Sequence, residues 1–248
     1  MIHGSATGAD LAAAAATATI ETFSAETVQF GGVECFQAIA EMRNSAREAA
    51  LPSGLHPTVP PGISLQGWNV ATSPWGPFSM ANVRVTCRSG VRARGFMVGA
   101  VVSTEVATAG LRSTFGIPAR LGDVRLRRSY HGVDLAVQID QQVLASVSAL
   151  DPEPMSNDDV QYTGTLTLAH TPQGLRLVQV EAQHLNSRVE RLTARINEFD
   201  GAAWGQPLLD PYFVVSASVA VAEVELPAVR FVCDPDKFAW DGTEPVAR

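Results

Sequence analysis

Lysine is nearly absent from this sequence: of its 18 Lys and Arg residues only Lys237 is a lysine. Chemistry that needs a lysine amine therefore has one candidate. Lys237 sits in Asp234-Pro235-Asp236-Lys237, where the flanking carboxylates favour the protonated amine, the wrong state for a nucleophile. Cysteine is scarce as well. Cys35, Cys87 and Cys233 are odd in number, far apart and without CxxC spacing. They exclude a disulfide framework and read as reduced, buried thiols of a cytoplasmic protein. Charged residues make up only 17%, and the net charge of −7 argues against a nucleic-acid partner. No apolar run approaches the roughly 20 residues of a spanning helix, so no membrane partner is expected. The alanine-rich residues 11–18 lack the positive flank of a signal peptide. No phosphate loop, dinucleotide fingerprint, HExxH site, EF-hand loop or GxSxG elbow occurs. The five histidines, His3, His56, His131, His170 and His184, have no ligand-like spacing, and no metal or cofactor is expected.

What the chain does contain is a large apolar fraction, 46% of 248 residues, enough for one well-buried core. Residues 1–17 read as a flexible alanine-rich tail and 18–248 as a single domain. Phe36, Ile39, Met42 and Ala46 recur at near-helical spacing, which predicts an amphipathic helix over 33–50. The four prolines of 51–62 make a stiff connector. From Ile63 onward the pattern is β. Val83, Val85 and Cys87 alternate with Arg84 and Thr86, and 96–102 is an apolar run. Residues 124–127 turn at His131-Gly132 and return over 133–139 as a hairpin. A second hairpin turns at Thr171-Pro172-Gln173-Gly174, and a long strand covers 213–226. The expected fold is α+β: a mainly antiparallel sheet, curled or closed into a β-barrel, with one long N-terminal helix.

Residues 112–121 read Arg-Ser-Thr-Phe-Gly-Ile-Pro-Ala-Arg-Leu. This string resembles the active-site segment of the acetoacetate decarboxylase superfamily. There an arginine and a glutamate precede a turn, two consecutive lysines and a leucine. The Ser73-Pro74-Trp75-Gly76-Pro77-Phe78 stretch and the late Ser216-Ala217-Ser218 strand ending at Leu226-Pro227 follow in the family's order, so the resemblance covers 18–233. It implies the family's curled sheet and a homo-oligomer. In the family the first lysine forms a Schiff base with a β-keto acid, and the second lowers its pKa by like-charge repulsion. Here those positions are Ala119 and Arg120, and the glutamate is Ser113. Another glutamate that the family carries near 75–78 is replaced by Pro77 and Phe78. Schiff-base decarboxylation is therefore excluded as the expected reaction.

What the resemblance leaves is a pocket with altered chemistry. Arg120 and Arg112 are candidate catalytic groups, since a buried guanidinium suits a carboxylate or a developing enolate. The plainer reading makes Arg112 a framework residue and Arg120 a rim residue. Trp68, Trp75, Phe78, Phe96, Met97, Phe115 and Ala119 are candidate substrate-binding residues that would line an apolar pocket. Glu223 continues the face of Val219 and Val221 and is the candidate acid or base; alternatively the strand has left the core by that point. Two functions follow. One is a lyase, dehydratase, isomerase or cyclase acting on an apolar carbonyl, β-dicarbonyl or polyketide-like small molecule by arginine polarisation and acid/base catalysis. The other is a non-catalytic small-molecule-binding protein on the same barrel.

Overall fold

Burial on both faces of one strand, Val28–Glu41, organises the molecule. In the computed structural model, which describes residues 3–247, Phe36, Ala38 and Ala40 point into one hydrophobic cluster and Val33 and Cys35 into another. A strand buried on both sides reads as a nearly continuous apolar run. That is why 33–50 mimics a helix: the helix that forms is only Asn44–Ala50, after the strand has ended. The expected long N-terminal helix is thus corrected to a strand followed by two turns of helix. Within the segment read as a flexible tail, Gly8–Ala14 is helical, capped by the Thr7 side chain, with Leu11 buried.

All strands join one mixed sheet. Its centre runs, in order, Gly164–Thr171, Arg92–Val102, Phe78–Ser89, Gly62–Thr72, Val28–Glu41, Phe213–Leu226 and Gln183–Phe199. Most neighbours are antiparallel. The Arg92–Val102 strand, however, takes two parallel partners on one edge, Gly164–Thr171 at its start and Ala119–Leu121 at its end. The two ends of the strand order do not pair, so the sheet curls without closing. The expected hairpin forms as Asp123–Arg128 with Gly132–Ile139. It folds over the centre, where the Asn69 side-chain amide donates to the Leu126 carbonyl at 2.9 Å.

Between these layers lies an apolar core that includes Phe36, Leu65, Val83, Val85, Leu135 and Val147. On the opposite face of the central strands the helix Glu105–Phe115 buries Ala107, Leu111 and Phe115. Thr104 caps its start by accepting from the Ala107 N–H, and Gly116, at φ 63°, closes its end in the left-handed conformation that glycine adopts without strain. Pro118 follows and leads into the short Ala119–Leu121 strand.

Candidate active site

Three adjacent strands place a row of amides on the face away from the apolar core. Gln37 pairs in register with Gln66, and Gln66 with Asn82. One step along, Cys35, Trp68 and Met80 form the next row. Arg84 lies two residues beyond Asn82 and therefore on the same face. These polar groups are deeply buried: Gln66 and Asn82 are 1% exposed and Arg84 6%.

Arg84 reaches sideways across its neighbour strand. A Cβ at Gly95 would stand 3.2 Å from the Arg84 Cβ and Cδ, so the glycine leaves the passage the side chain uses. At the far side Nη1 donates to the Thr165 hydroxyl at 2.6 Å and to the Thr163 carbonyl at 3.3 Å. Nε is buried and donates to nothing. Among the described residues no carboxylate pairs with this guanidinium. Burial lowers its pKa to about 10, which leaves it cationic at neutral pH. A buried, uncompensated cation is costly, and an anionic ligand would relieve that cost.

Around the arginine stand three groups held neutral. The Cys35 thiol, pushed up to about 12 by burial, lies against the Tyr162 hydroxyl and the Trp68 indole. Burial and then Cys35 push the Tyr162 phenol upward. His184 stacks on Tyr162, ring centroids 3.8 Å apart, and meets the edge of Trp68 at 5.7 Å. Burial first and the Arg84 charge second lower its pKa to about 4. A hydrogen bond to the Ala182 backbone engages the ring, while Nε2 is buried without a partner.

Gln66, Trp68, Asn82, Arg84, Tyr162 and His184 line a narrow cavity of ≈ 40 Å³, room for a few waters as it stands and below the about 300–1,000 Å³ typical of small-molecule sites. Phe30, Met80, Met97, Leu111, Ile117 and Val180 supply apolar wall. Four further polar atoms face inward unpartnered: Gln66 Oε1, Trp68 Nε1, Asn82 Oδ1 and His184 Nε2. Native proteins pair nearly all buried polar atoms, so five such orphans, counting Arg84 Nε, in one cavity call for polar partners that the protein itself does not supply.

Of the residues singled out from the sequence, Trp68 and Met97 line this cavity. Ala119 is buried in the same hydrophobic cluster, paired with Ala100, and does not reach it. Phe115 and Phe78 are core residues of that cluster. Trp75 packs on the helix, where a Cβ at Gly110 would collide with its ring. Phe96 points the other way and lines a separate cleft beside Leu11 and Pro118. Arg112 takes its framework role, with Nη1 donating to Ala16 and Ala119 carbonyls and Nη2 to the Thr17 carbonyl. Arg120 turns away and donates to the Ala203 carbonyl at 2.6 Å. Glu223 is exposed and accepts from the Gly32 N–H, because its strand carries it to the outer face. Lys237 is on the surface, 3.3 Å from Asp234.

The acetoacetate decarboxylase (ADC) family model matches residues 13–195. The chain belongs to the acetoacetate decarboxylase family. Solved structures share its fold at low identity. The acetoacetate decarboxylase of Legionella pneumophila is 16% identical, with a TM-score of 0.73 over 85% of this chain and 88% of its own. The enduracididine biosynthesis enzyme MppR, complexed with pyruvate, is 16% identical, with a TM-score of 0.70 over 84% and 91%. An acetoacetate decarboxylase-like enzyme from Sphingomonas wittichii RW1 is 13% identical, with a TM-score of 0.64 over 83% and 92%. Among curated proteins none matches this chain significantly.

Ala119, the position that the sequence resemblance equates with the imine-forming lysine, is a buried methyl group in the core. The polar groups that do face the cavity sit elsewhere. Arg84 alternates with Val83 and Val85 and looks like an ordinary solvated position. Only the later strands and Tyr162–His184, folding over that face, make it internal. The one local signal was the pair of amides, Gln66 beside Leu65 and Gly67 and Asn82 between Ala81 and Val83, each set among apolar neighbours.

Proposed function

We propose that this protein is an acetoacetate decarboxylase-family enzyme that works without an imine. It takes a small anionic carbonyl compound with an apolar body and moves a proton beside the carbonyl. Isomerisation, dehydration of a β-hydroxy carbonyl and cyclisation start from that enolisation, and retro-aldol cleavage, begun at the β-hydroxyl, releases the same kind of enolate. The observation that carries this reading is Arg84, a buried cation with a free Nε in a cavity of unpaired polar atoms. A carboxylate or enolate oxygen on the guanidinium makes a charge-assisted hydrogen bond, strongest where water is excluded. The fold of the pyruvate-bound MppR supports a 2-oxo acid as the substrate type.

His184 is the base. Its Nε2 accepts the proton from the carbon next to the carbonyl, the C–H electron pair forms the C=C bond of the enolate, and the C=O π pair moves onto the oxygen, where Arg84 balances the charge. With a pKa near 4 the free imidazole is neutral but weakly basic. An anion on Arg84 cancels the second cause of that depression, so binding raises the basicity of His184 when it is needed. The phenol of Tyr162, neutral and stacked on the ring, keeps the imidazole in place.

The test is proton exchange followed by NMR in D2O with a panel of 2-oxo acids, β-keto acids and larger 1,3-dicarbonyls. Exchange or turnover lost in Arg84→Met and His184→Gln, with no borohydride-trapped adduct, is the expected result. An adduct on Lys237, or turnover surviving Arg84→Met, would overturn it. A second reading is a non-catalytic binding protein, favoured by the lack of any carboxylate among the residues lining the cavity. Arg84-dependent binding without exchange would select it.

A further inference from the structure

The orphaned atoms specify more than a negative charge, because the direction of one amide chain is fixed. The Gln161 backbone carbonyl can only accept, and the Gln37 side chain reaches it through Nε2 at 3.5 Å. Gln37 therefore presents Oε1 to Gln66, which donates to it through Nε2 at 2.6 Å. That leaves Gln66 Oε1 as an acceptor, buried and facing the cavity with no donor. The amide orientation follows from the carbonyl at the end of the chain, so flipping either glutamine would set two acceptors or two donors against each other.

The cavity thus needs acceptors from its ligand at Arg84 Nε and Trp68 Nε1, and a donor at Gln66 Oε1. The acidic and donating parts of that ligand must be close. Asn82 is the register partner of Gln66, and Arg84 follows Asn82 by two residues, about 7 Å along the strand. A plain carboxylate, or a 2-oxo acid in its keto form, has no donor to offer and leaves the Gln66 oxygen unpaired. We infer that the cavity takes an acid carrying its own O–H beside the carboxylate, either a hydroxy acid or the enol of an oxo acid. The inference rests on this cavity being the ligand site proposed above. Within that reading it names the recognised form: the hydroxyl donates to Gln66 and the carboxylate accepts from Arg84.

Three acids of one skeleton test it by titration calorimetry on the intact protein: phenyllactate, phenylpyruvate and hydrocinnamate. A buried acceptor left unpaired weakens binding by about 10-fold, so at least one hydroxyl-bearing form is expected to bind that much more tightly than hydrocinnamate. Phenyllactate reports the hydroxy acid. The near-ultraviolet absorbance of bound phenylpyruvate reports the enol. In Gln66→Met the preference should fall to about 1-fold while hydrocinnamate affinity holds; in Arg84→Met all three should weaken. Equal binding of the three acids to the wild type, with Arg84 dependence intact, overturns the hydroxyl inference and leaves the site standing. So does a preference that survives in folded Gln66→Met. Absence of binding by all three removes the site and the inference together. The wild-type comparison decides the matter even where Gln66→Met does not fold.

Discussion

The two faces of the same three central strands differ in one respect: both bury apolar side chains, but only one also buries amides and a guanidinium. On one face Phe36, Leu65, Ala81, Val83 and Val85 pack into the core between the layers. On the other, Gln37, Gln66, Asn82 and Arg84 are nearly as deeply buried, and the last three carry polar atoms without a protein partner. An ordinary core gains nothing from such groups; replacing buried ions by apolar residues of similar volume is often neutral or stabilising. The first face holds the fold together, and the second gives up stability to keep polar groups ready for a ligand. Substitutions on the two faces should therefore separate folding from function.

The largest effect is expected on the apolar face. Phe36→Ala removes a fully buried ring from the central strand and should cost about 3–5 kcal/mol in denaturant unfolding. The cavity is affected only through that loss. Arg84→Met, on the opposite face, should leave stability unchanged or raised, yet weaken binding of the acidic ligand about 100-fold or more. A denaturant midpoint that falls as far in Arg84→Met as in Phe36→Ala would erase the distinction between the faces.

His184 sharpens the comparison through pH. Its folded pKa of about 4 lies below the ordinary 6.5, so between these values the unfolded chain binds more protons than the folded one. Stability from this group is complete above pH 6.5 and is lost as pH falls through the folded pKa. The difference of about 2.5 units corresponds to roughly 3 kcal/mol. Arg84, Tyr162 and Trp68 face the imidazole, and only Arg84 is charged in this range. Unfolding measured from pH 7 to 4 should be flatter in His184→Gln than in the wild type. A saturating acidic ligand should shift the wild-type loss upward in pH, since the anion offsets the arginine. Identical pH slopes in wild type and variant would mean that His184 is not held neutral by burial.

How much of this was legible follows from which cues are local. The hairpin over 124–139, the paired strands around Gly174 and the strand Phe213–Leu226 announced themselves by alternation and turn residues. The Val28–Glu41 strand did not, because burial on both faces removes the alternation that distinguishes a strand from a helix. The helix Glu105–Phe115 carried its signals in plain view, Thr104 at the start and Gly116 followed by Pro118 at the end. The family could be read from 112–121, but not the site. Arg84 looks solvated from its own strand, and Tyr162 and His184 lie 78 and 100 residues further along the sequence. The family resemblance led instead to Ala119 and Arg120, neither of which lines the cavity.

That last point yields the smallest predicted effect and the cleanest control. The sequence resemblance equates Arg120 with the second family lysine, but its guanidinium points away from the cavity to bond the Ala203 carbonyl, and it is partly exposed. Burial lowers its pKa without a charged partner, as for a residue serving local packing. Arg120→Gln removes one hydrogen bond to a neutral carbonyl and should cost about 1 kcal/mol. Exchange kinetics should stay within about twofold of wild type, because no atom of Arg120 borders the ligand. If activity fell by the same factor as in Arg84→Met, the reacting centre would have remained where the family has its lysines. The polar face around Arg84 would then need another explanation.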